Sequence, residues 1–186
     1  PKGFGANHNQ AFSFCDSELF CILNPDIAFG ENPYPALIEA INASDVGLVT
    51  PMIVSQQGEV EDSVRKFITP ISMILRWLFL NKGAYLYRAN DNNFVAEWVG
   101  GMFMLIKANA YFKILGFDEK YYMYVEDTDI CTRLWKAGYK VLVCPGAVVF
   151  HEARRASRKN LQHLCWHIAG LFRYFFKYLG RLPKVD

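Results

Sequence analysis

The chain has no stretch of eighteen uncharged apolar residues. The nearest run, residues 71–80, is too short and is broken by Arg76, so no membrane-spanning helix is expected. None of the five cysteines (Cys15, Cys21, Cys131, Cys144, Cys165) forms a C-x-x-C pair, and the number is odd. That argues against a zinc ribbon and against a disulfide framework. Cys21 and Cys144 fall inside apolar strand patterns, which fits buried, reduced thiols in a cytosolic protein. No internal repeat, low-complexity segment or signal peptide is visible. The chain opens on Pro1 rather than Met, which suggests that upstream sequence is missing. Acids are scarce at the far end. From Arg154 onward, eight basic residues face the single acid Asp186, so the tail carries +7 and residues 1–153 carry −5.

What is present is enough for a packed domain. The 186 residues are 52% apolar and 16% aromatic, which excludes disorder. Short apolar runs alternate with helical patterns. Residues 6–16 read as a helix and Leu19–Leu23 as a buried strand ended by Asn24-Pro25-Asp26. Residues 35–42 read as a helix with Pro35 in its first turn, and 46–50 as a strand closed by Pro51. Residues 55–66 read as a loop or hairpin, 68–80 as a helix and 81–96 as a loop. Trp98–Lys107 reads as one strand entered through Gly100-Gly101. Residues 108–115 form a helix stopped by Gly116. A helix over 126–137 follows, then strands at 140–144, stopped by Pro145, and at 148–150, leading into His151. The alternation implies an α/β sandwich with a mostly parallel sheet.

From Asn160 the pattern becomes one long amphipathic helix. Leu161, Leu164, Cys165, Ile168, Leu171, Phe172, Phe175 and Leu179 form its apolar stripe. Arg158, His163, Trp166, Arg173 and Lys177 lie on the other face. A basic aromatic tail suits a membrane surface. A solvated face, or packing on the domain, remains open. Nothing outside the tail points to nucleic acid.

The densest chemistry is Glu126-Asp127-Thr128-Asp129, placed after an aromatic run and at a helix start. Helix phase puts Asp127 on the inward face with Ile130 and Cys131. It puts Asp129 outward, four residues before Arg133, as an ordinary surface pair. The helix start favours the charged form of Asp127, which suits a base; a structural cap is the alternative. Asp26, beyond a strand end, is placed to hold a divalent cation with Asn24 nearby, although Asn-Pro-Asp is also a common turn. His151 at a strand end suits a metal ligand or proton carrier, or a structural histidine. Residues 3–9 read as a turn with backbone N–H groups free for phosphate, or as a turn alone. Trp98 with Gly100-Gly101 offers a flat wall for a sugar ring, or strand entry and core packing.

Taken in order, these segments resemble the family 2 glycosyltransferases, in particular the bacterial rhamnosyltransferase-like branch that builds surface polysaccharides. The resemblance is carried by residues 3–9, Leu23-Asn-Pro-Asp-Ile27, Trp98-Val-Gly-Gly101, Leu115-Gly-Phe-Asp-Glu119, Tyr124-Val-Glu-Asp-Thr-Asp-Ile-Cys131, Leu134-Trp-Lys-Ala-Gly-Tyr139 and Cys144–His151. It implies a GT-A, Rossmann-like αβα sandwich, with residues 1–157 as the C-terminal two-thirds of the catalytic domain. The nucleotide-binding portion would precede them, and residues 158–186 would form the helical tail. It also implies inverting transfer of a sugar from a nucleotide diphosphate sugar to a glycan or lipid-linked acceptor, at the cytoplasmic face of the plasma membrane. By resemblance Asp127 is the base, and Asp26 and His151 hold Mg²⁺ or Mn²⁺. Asn24 stands where the first acid of the family's D-x-D motif would be. Asn9, Asn24 and Gly101 would touch the donor, and Trp98 and Glu126 would line the acceptor and sugar pocket. A nucleotidyltransferase, for which no Gly-rich basic phosphate loop is visible, and an inactive carbohydrate-binding or scaffolding fragment are the alternatives.

Overall fold

The computed structural model describes residues 2–78, 83–151 and 161–185. The first half runs α1 (Phe4–Phe12), β1 (Leu19–Leu23), β2 (Ile27–Phe29), α2 (Tyr34–Ile41), β3 (Val46–Ser55), β4 (Val64–Arg65) and α3 (Pro70–Trp77). The second runs β5 (Phe94–Val95), β6 (Trp98–Val99), β7 (Phe103–Lys107), α4 (Ala108–Lys113), α5 (Glu126–Lys136), β8 (Lys140–His151) and α6 (Leu161–Tyr178). The main sheet has the order β1-β7-β3-β8-β2, with β5 also paired to β8; β4 and β6 form a separate ribbon.

The sheet is mixed rather than mostly parallel. Only β3 and β8 pair in parallel; β1–β7, β3–β7, β2–β8 and β5–β8 are antiparallel. The alternation of strands and helices does give β1, β3 and β8 one direction. However, β7 inserts between β1 and β3 running the opposite way, a single short arm that converts two would-be parallel pairs into antiparallel ones. As a result the ends of β1, β3 and β8 and the starts of β2 and β7 collect at one edge: Leu23 faces Phe103, and His151 faces both Ser55 and Ile27.

Side chains alternate across the sheet and feed two cores. Ile22, Leu48, Met104, Ile106, Val141 and Val143 pack against α4 and α5 through Tyr111, Ile130 and Leu134. Val49, Ile53, Phe103, Leu105 and Val149 pack against Leu37 and Ile41 of α2. Helices therefore cover both faces, a three-layer arrangement.

Two prolines read as strand stops lie within strands. β3 continues through Pro51 and β8 through Pro145, and the ladder slips at that point, from Pro51 opposite Cys144 to Met52 opposite Val148. A residue without an N–H is tolerated where the ladder is already interrupted. Conversely, the expected single strand 98–107 is broken at Gly100-Gly101-Met102 into β6 and β7.

Helix α6 packs on the domain through Gly170, Leu171, Tyr174 and Tyr178, which meet Tyr121 and Val125. Leu161, Leu164, Ile168, Phe172, Phe176 and Leu179 face outward with 44–79% of their surface exposed. The orientation is the reverse of the simple amphipathic expectation: Arg173 and Lys177 turn toward the domain and the apolar row turns away. Arg154, Arg155, Arg158 and Lys159 of the basic tail, and the expected boundary at 157/158, lie outside the described residues. So do residues 79–82, which end the expected helix over 68–80 and begin the expected loop over 81–96. Among the described residues no helix is long and apolar enough to cross a membrane.

Candidate active site

The gathered edge carries two acidic centres. At one, Asp26 follows β1 by a three-residue turn and His151 ends β8. Their side chains meet with Oδ2 3.4 Å from Nε2. The remaining atoms, Asp26 Oδ1 and His151 Nδ1, are buried and have no hydrogen-bond partner. Buried polar atoms are normally satisfied, so two atoms without a partner among the described residues single out this pair of side chains as a candidate ligand site.

At the other centre, Asp127 lies in the first turn of α5. Its Oδ2 accepts a bond from Gly101 N–H at 3.4 Å and its Oδ1 one from Thr128 N–H at 2.7 Å. Space beside Gly101 is tight: a Cβ would come within 3.2 Å of the Phe4 ring, which would have to give by a few tenths of an ångström. Burial pushes the Asp127 carboxyl above its ordinary range, against the pull of the Thr128 and Gly101 N–H groups. The charge-favouring effect expected of the helix start is present in those bonds, and burial outweighs it. Glu126 beside it is also buried, and burial, reinforced by the charge of Asp127, raises its pKa to about 8. Its Oε2 has no partner. Burial thus raises both carboxyls, and the pair holds a proton more readily than two separate exposed acids would.

The backbone entering this helix is strained. Tyr124 (φ 71°) and Val125 (φ 68°) are both left-handed, the second being β-branched. Each costs about 1–3 kcal/mol and persists only where its surroundings enforce it. Enforcement comes from α6: a Cβ on Gly170 would lie 3.0 Å from Tyr124 O, and the Tyr124 hydroxyl meets His163 Nδ1 at 2.7 Å.

The two centres are joined by backbone. Gly101 touches Asp127, and the next residue, Met102, accepts a bond from Asn24 N–H at 2.9 Å, two residues before Asp26.

Asp129 is not the surface acid expected from helix phase. It is 0% exposed. Arg133 Nε donates to its Oδ2 at 2.8 Å, as the i,i+4 spacing implies, but Lys177 Nζ at 2.7 Å and the hydroxyls of Tyr178 at 2.8 Å and Tyr121 at 3.4 Å also reach its Oδ1. Asp118 receives Arg173 at 2.7 Å and Lys177 at 2.9 Å. Burial acts to raise the Asp118 pKa, and the two cations more than reverse it, holding the carboxyl well below the usual range. The clue in sequence was Arg173/Lys177 at four-residue spacing with Tyr174/Tyr178 one position on: a helix face able to reach acids.

Other expected contacts are occupied. Asn9 Nδ2 donates to Phe117 O (3.0 Å) and Glu119 Oε1 (2.9 Å), and its Oδ1 accepts from Tyr111 hydroxyl (2.7 Å) and Phe117 N–H (2.9 Å). That is the full capacity of the amide, so Asn9 ties α1 to the 116–119 segment and has none left for a donor. Trp98 is half-buried at the edge of the α5-side core, with its indole N–H bonded to Lys66 O at 2.8 Å.

Residues 85–160, which contain Gly101, the α5 acids and His151, match the family model described as the N-terminal domain of galactosyltransferase. The chain is 28% identical to the rhamnosyltransferase WbbL of Escherichia coli (strain K12), over 92% of this chain and 69% of that protein. It is 30% identical to the N-acetylglucosaminyl-diphospho-decaprenol L-rhamnosyltransferase of Mycobacterium tuberculosis, over 78% of this chain and 51% of that protein. Among solved structures it superposes on GalNAc-T7, crystallised with UDP, GalNAc and Mn²⁺. The TM-score is 0.64 at 16% identity, over 86% of this chain and 32% of the other. The chain has a GT-A glycosyltransferase fold and is rhamnosyltransferase-like in sequence.

In a GT-A domain a divalent cation is at issue, and the Asp26–His151 pair can be tested for it. Asp26 Oδ2 and His151 Nε2, which face each other at 3.4 Å, are donor types that Mg²⁺ or Mn²⁺ accepts. Among the described residues no group of three or more His, Cys, Asp or Glu side chains gathers for a metal. In donor type and spacing the pair would fit a divalent cation as two of its ligands.

Proposed function

We propose that this chain is the acceptor- and metal-side part of an inverting glycosyltransferase, which moves a sugar from a nucleotide diphosphate sugar to a glycan or lipid-linked acceptor in surface-polysaccharide synthesis. The relatives' names support this reading of the reaction, and the chain spans about half to two-thirds of their length. The observation that carries it is the junction Asp127–Gly101–Met102–Asn24, which brings a part-buried acid to the same sheet edge as the Asp26–His151 pair.

Asp127 is the base. It takes the proton of an acceptor hydroxyl as that oxygen attacks the anomeric carbon from the face opposite the diphosphate, which inverts the centre. A pKa raised by burial suits this work, because it makes the carboxylate more basic than an exposed one. Glu126, carrying its proton, donates to a sugar oxygen through Oε2, and the Gly101 N–H holds Asp127 in place. Asp26 and His151 hold Mg²⁺ or Mn²⁺, with Asn24 in the same turn. When bound, that cation neutralises charge on the leaving diphosphate. Trp98 stands as a wall of the sugar pocket. Asn9 is not carried into this proposal as a donor contact, since its amide is spent.

Residues 1–157 are the catalytic portion and 158–186 the tail, which lies against the cytoplasmic surface of the plasma membrane. The outward apolar row of α6 supports that contact. Sedimentation with anionic liposomes tests it: failure of the chain to pellet, or equal pelleting of a Phe172→Ser/Phe176→Ser variant, removes the membrane from the proposal.

The reaction is tested by release of nucleoside diphosphate from a panel of nucleotide sugars, with the full-length protein and an acceptor. Asp127→Asn is expected to abolish transfer and keep Mn²⁺-dependent nucleotide binding. Turnover by that variant overturns the role of Asp127.

A further inference from the structure

A cavity of ≈ 770 Å³ opens between residues 60–64 and 84–91. We propose that it binds a hydroxyl-rich saccharide of one or two rings, and that this saccharide is the acceptor; the second half rests on the reading given under Proposed function. The volume falls in the range of roughly 300–1,000 Å³ that ligand pockets occupy.

Position connects the cavity to both acidic centres. Its wall starts where β3 ends: Val54 bridges Val60, and Glu61 N–H bonds Ile53 O at 2.8 Å, two residues before Ser55, the partner of His151. The same wall finishes at Ser63, whose carbonyl accepts the Gly100 N–H at 2.7 Å, and Gly101 touches Asp127. The backbone bond from Gly100 to Ser63 thus ties the cavity wall to the glycine pair that holds Asp127.

The lining chemistry suits sugars. Tyr85 and Tyr87 project from one side of their segment and both lean on Phe94, with ring centroids 5.8 and 5.1 Å away. Phe94 is itself paired into the main sheet opposite Val143. Aromatic faces fixed this way receive the C–H face of a pyranose. The Tyr87 hydroxyl is buried next to the Ser63 side chain, which opposes the rise that burial gives its pKa. Of the three lining acids, Asp62 is engaged by Arg65, and Asp91 accepts the Arg88 N–H at 2.7 Å. That leaves Glu61 to accept ligand hydroxyls, with the Arg88 side chain at the rim.

The probe is methyl N-acetyl-β-glucosaminide, chosen because the mycobacterial relative's name specifies an N-acetylglucosaminyl acceptor. It is titrated into the ¹⁵N-labelled full chain, followed by amide shifts. Changes concentrated at 60–64 and 84–91 are expected. Glu61→Gln and Arg88→Ala, both rim changes that spare the core, are each expected to weaken binding about tenfold, and Tyr87→Phe to weaken it less. Absence of shifts at millimolar probe, or shifts elsewhere only, overturns the site. The two readings separate in the transfer assay. If transfer occurs and Glu61→Gln and Arg88→Ala leave the acceptor KM unchanged, the cavity is not the acceptor site although the glycosyltransferase reading stands. If the saccharide binds at the cavity and no nucleotide sugar in the panel is turned over, the cavity is a carbohydrate site and the transferase reading falls.

Discussion

Asp127 and Asp129 stand two residues apart on one helix and live in opposite electrostatic surroundings. Asp129 is enclosed by Arg133, Lys177 and two tyrosine hydroxyls, and its charge is matched on every side. Asp127 is only part-buried, beside a second carboxyl group, with backbone N–H groups and a threonine as its partners, and desolvation raises its pKa. A fully matched acid is a structural anchor, because its oxygens are already taken up by cations and hydroxyls from two helices and a loop. An under-matched acid is held in tension and gains from accepting one, which a base requires. Burial alone does not distinguish function from structure here; the count of donors does.

The sharpest way to break that contrast is to exchange the roles by mutation. Asp127→Asn should cut transfer by about 10³–10⁴ and leave the melting temperature equal or higher, since it removes an acid the fold strains to keep. Asp129→Ala should do the reverse, destabilising the chain by about 3–5 kcal/mol in urea unfolding, because Lys177 and Arg133 lose their counter-charge. If Asp129→Ala unfolds like the parent, the anchor interpretation fails.

Proton linkage sharpens the contrast further. Folded Glu126 binds its proton more tightly than the unfolded chain does. Its contribution to stability is therefore full below its ordinary value of 4.5 and is lost as pH rises through about 8. Asp118 has the opposite sign: its folded pKa is depressed, so its contribution is present above 3.8 and is lost as pH falls below that. Melting temperatures should fall between pH 6 and 9 by about 2–4 °C, and Glu126→Gln should flatten that fall. A parallel decline in the variant assigns the effect elsewhere. In kinetics the acid limb should lie above the ordinary carboxylate range, and Glu126→Gln should leave it nearly in place, because burial is what lifts Asp127. The smallest effect is expected from Arg173→Met, whose partly exposed pair with Asp118 is worth about 1 kcal/mol or less.

Much of this was legible in the sequence. The apolar run Leu19–Leu23 is β1 to the residue, and the inward phase of Asp127 followed from Ile130 and Cys131 on the same helix face. The Asp26–His151 pair was visible only as two strand ends, and its pairing required the ladder that sets Ile27 opposite His151. What the sequence hid was tertiary. Asp129 with Arg133 has the spacing of a surface pair, and nothing local says that α6 will cover it. Pro51 and Pro145 signal strand ends when read singly; they are tolerated because both fall at one slip in the β3–β8 ladder. Asn9 looked like a ligand contact because amides near glycines often are, and its four partners come from residues more than a hundred positions away.

The left-handed pair Tyr124–Val125 has a consequence for the order in which the molecule is made. Its cover, from Gly170 to Tyr178, is synthesised some fifty residues later. A nascent chain that already holds both acidic centres still has the corner before Asp127 unclamped, so the start of α5 reaches its final shape only after the ribosome has released α6.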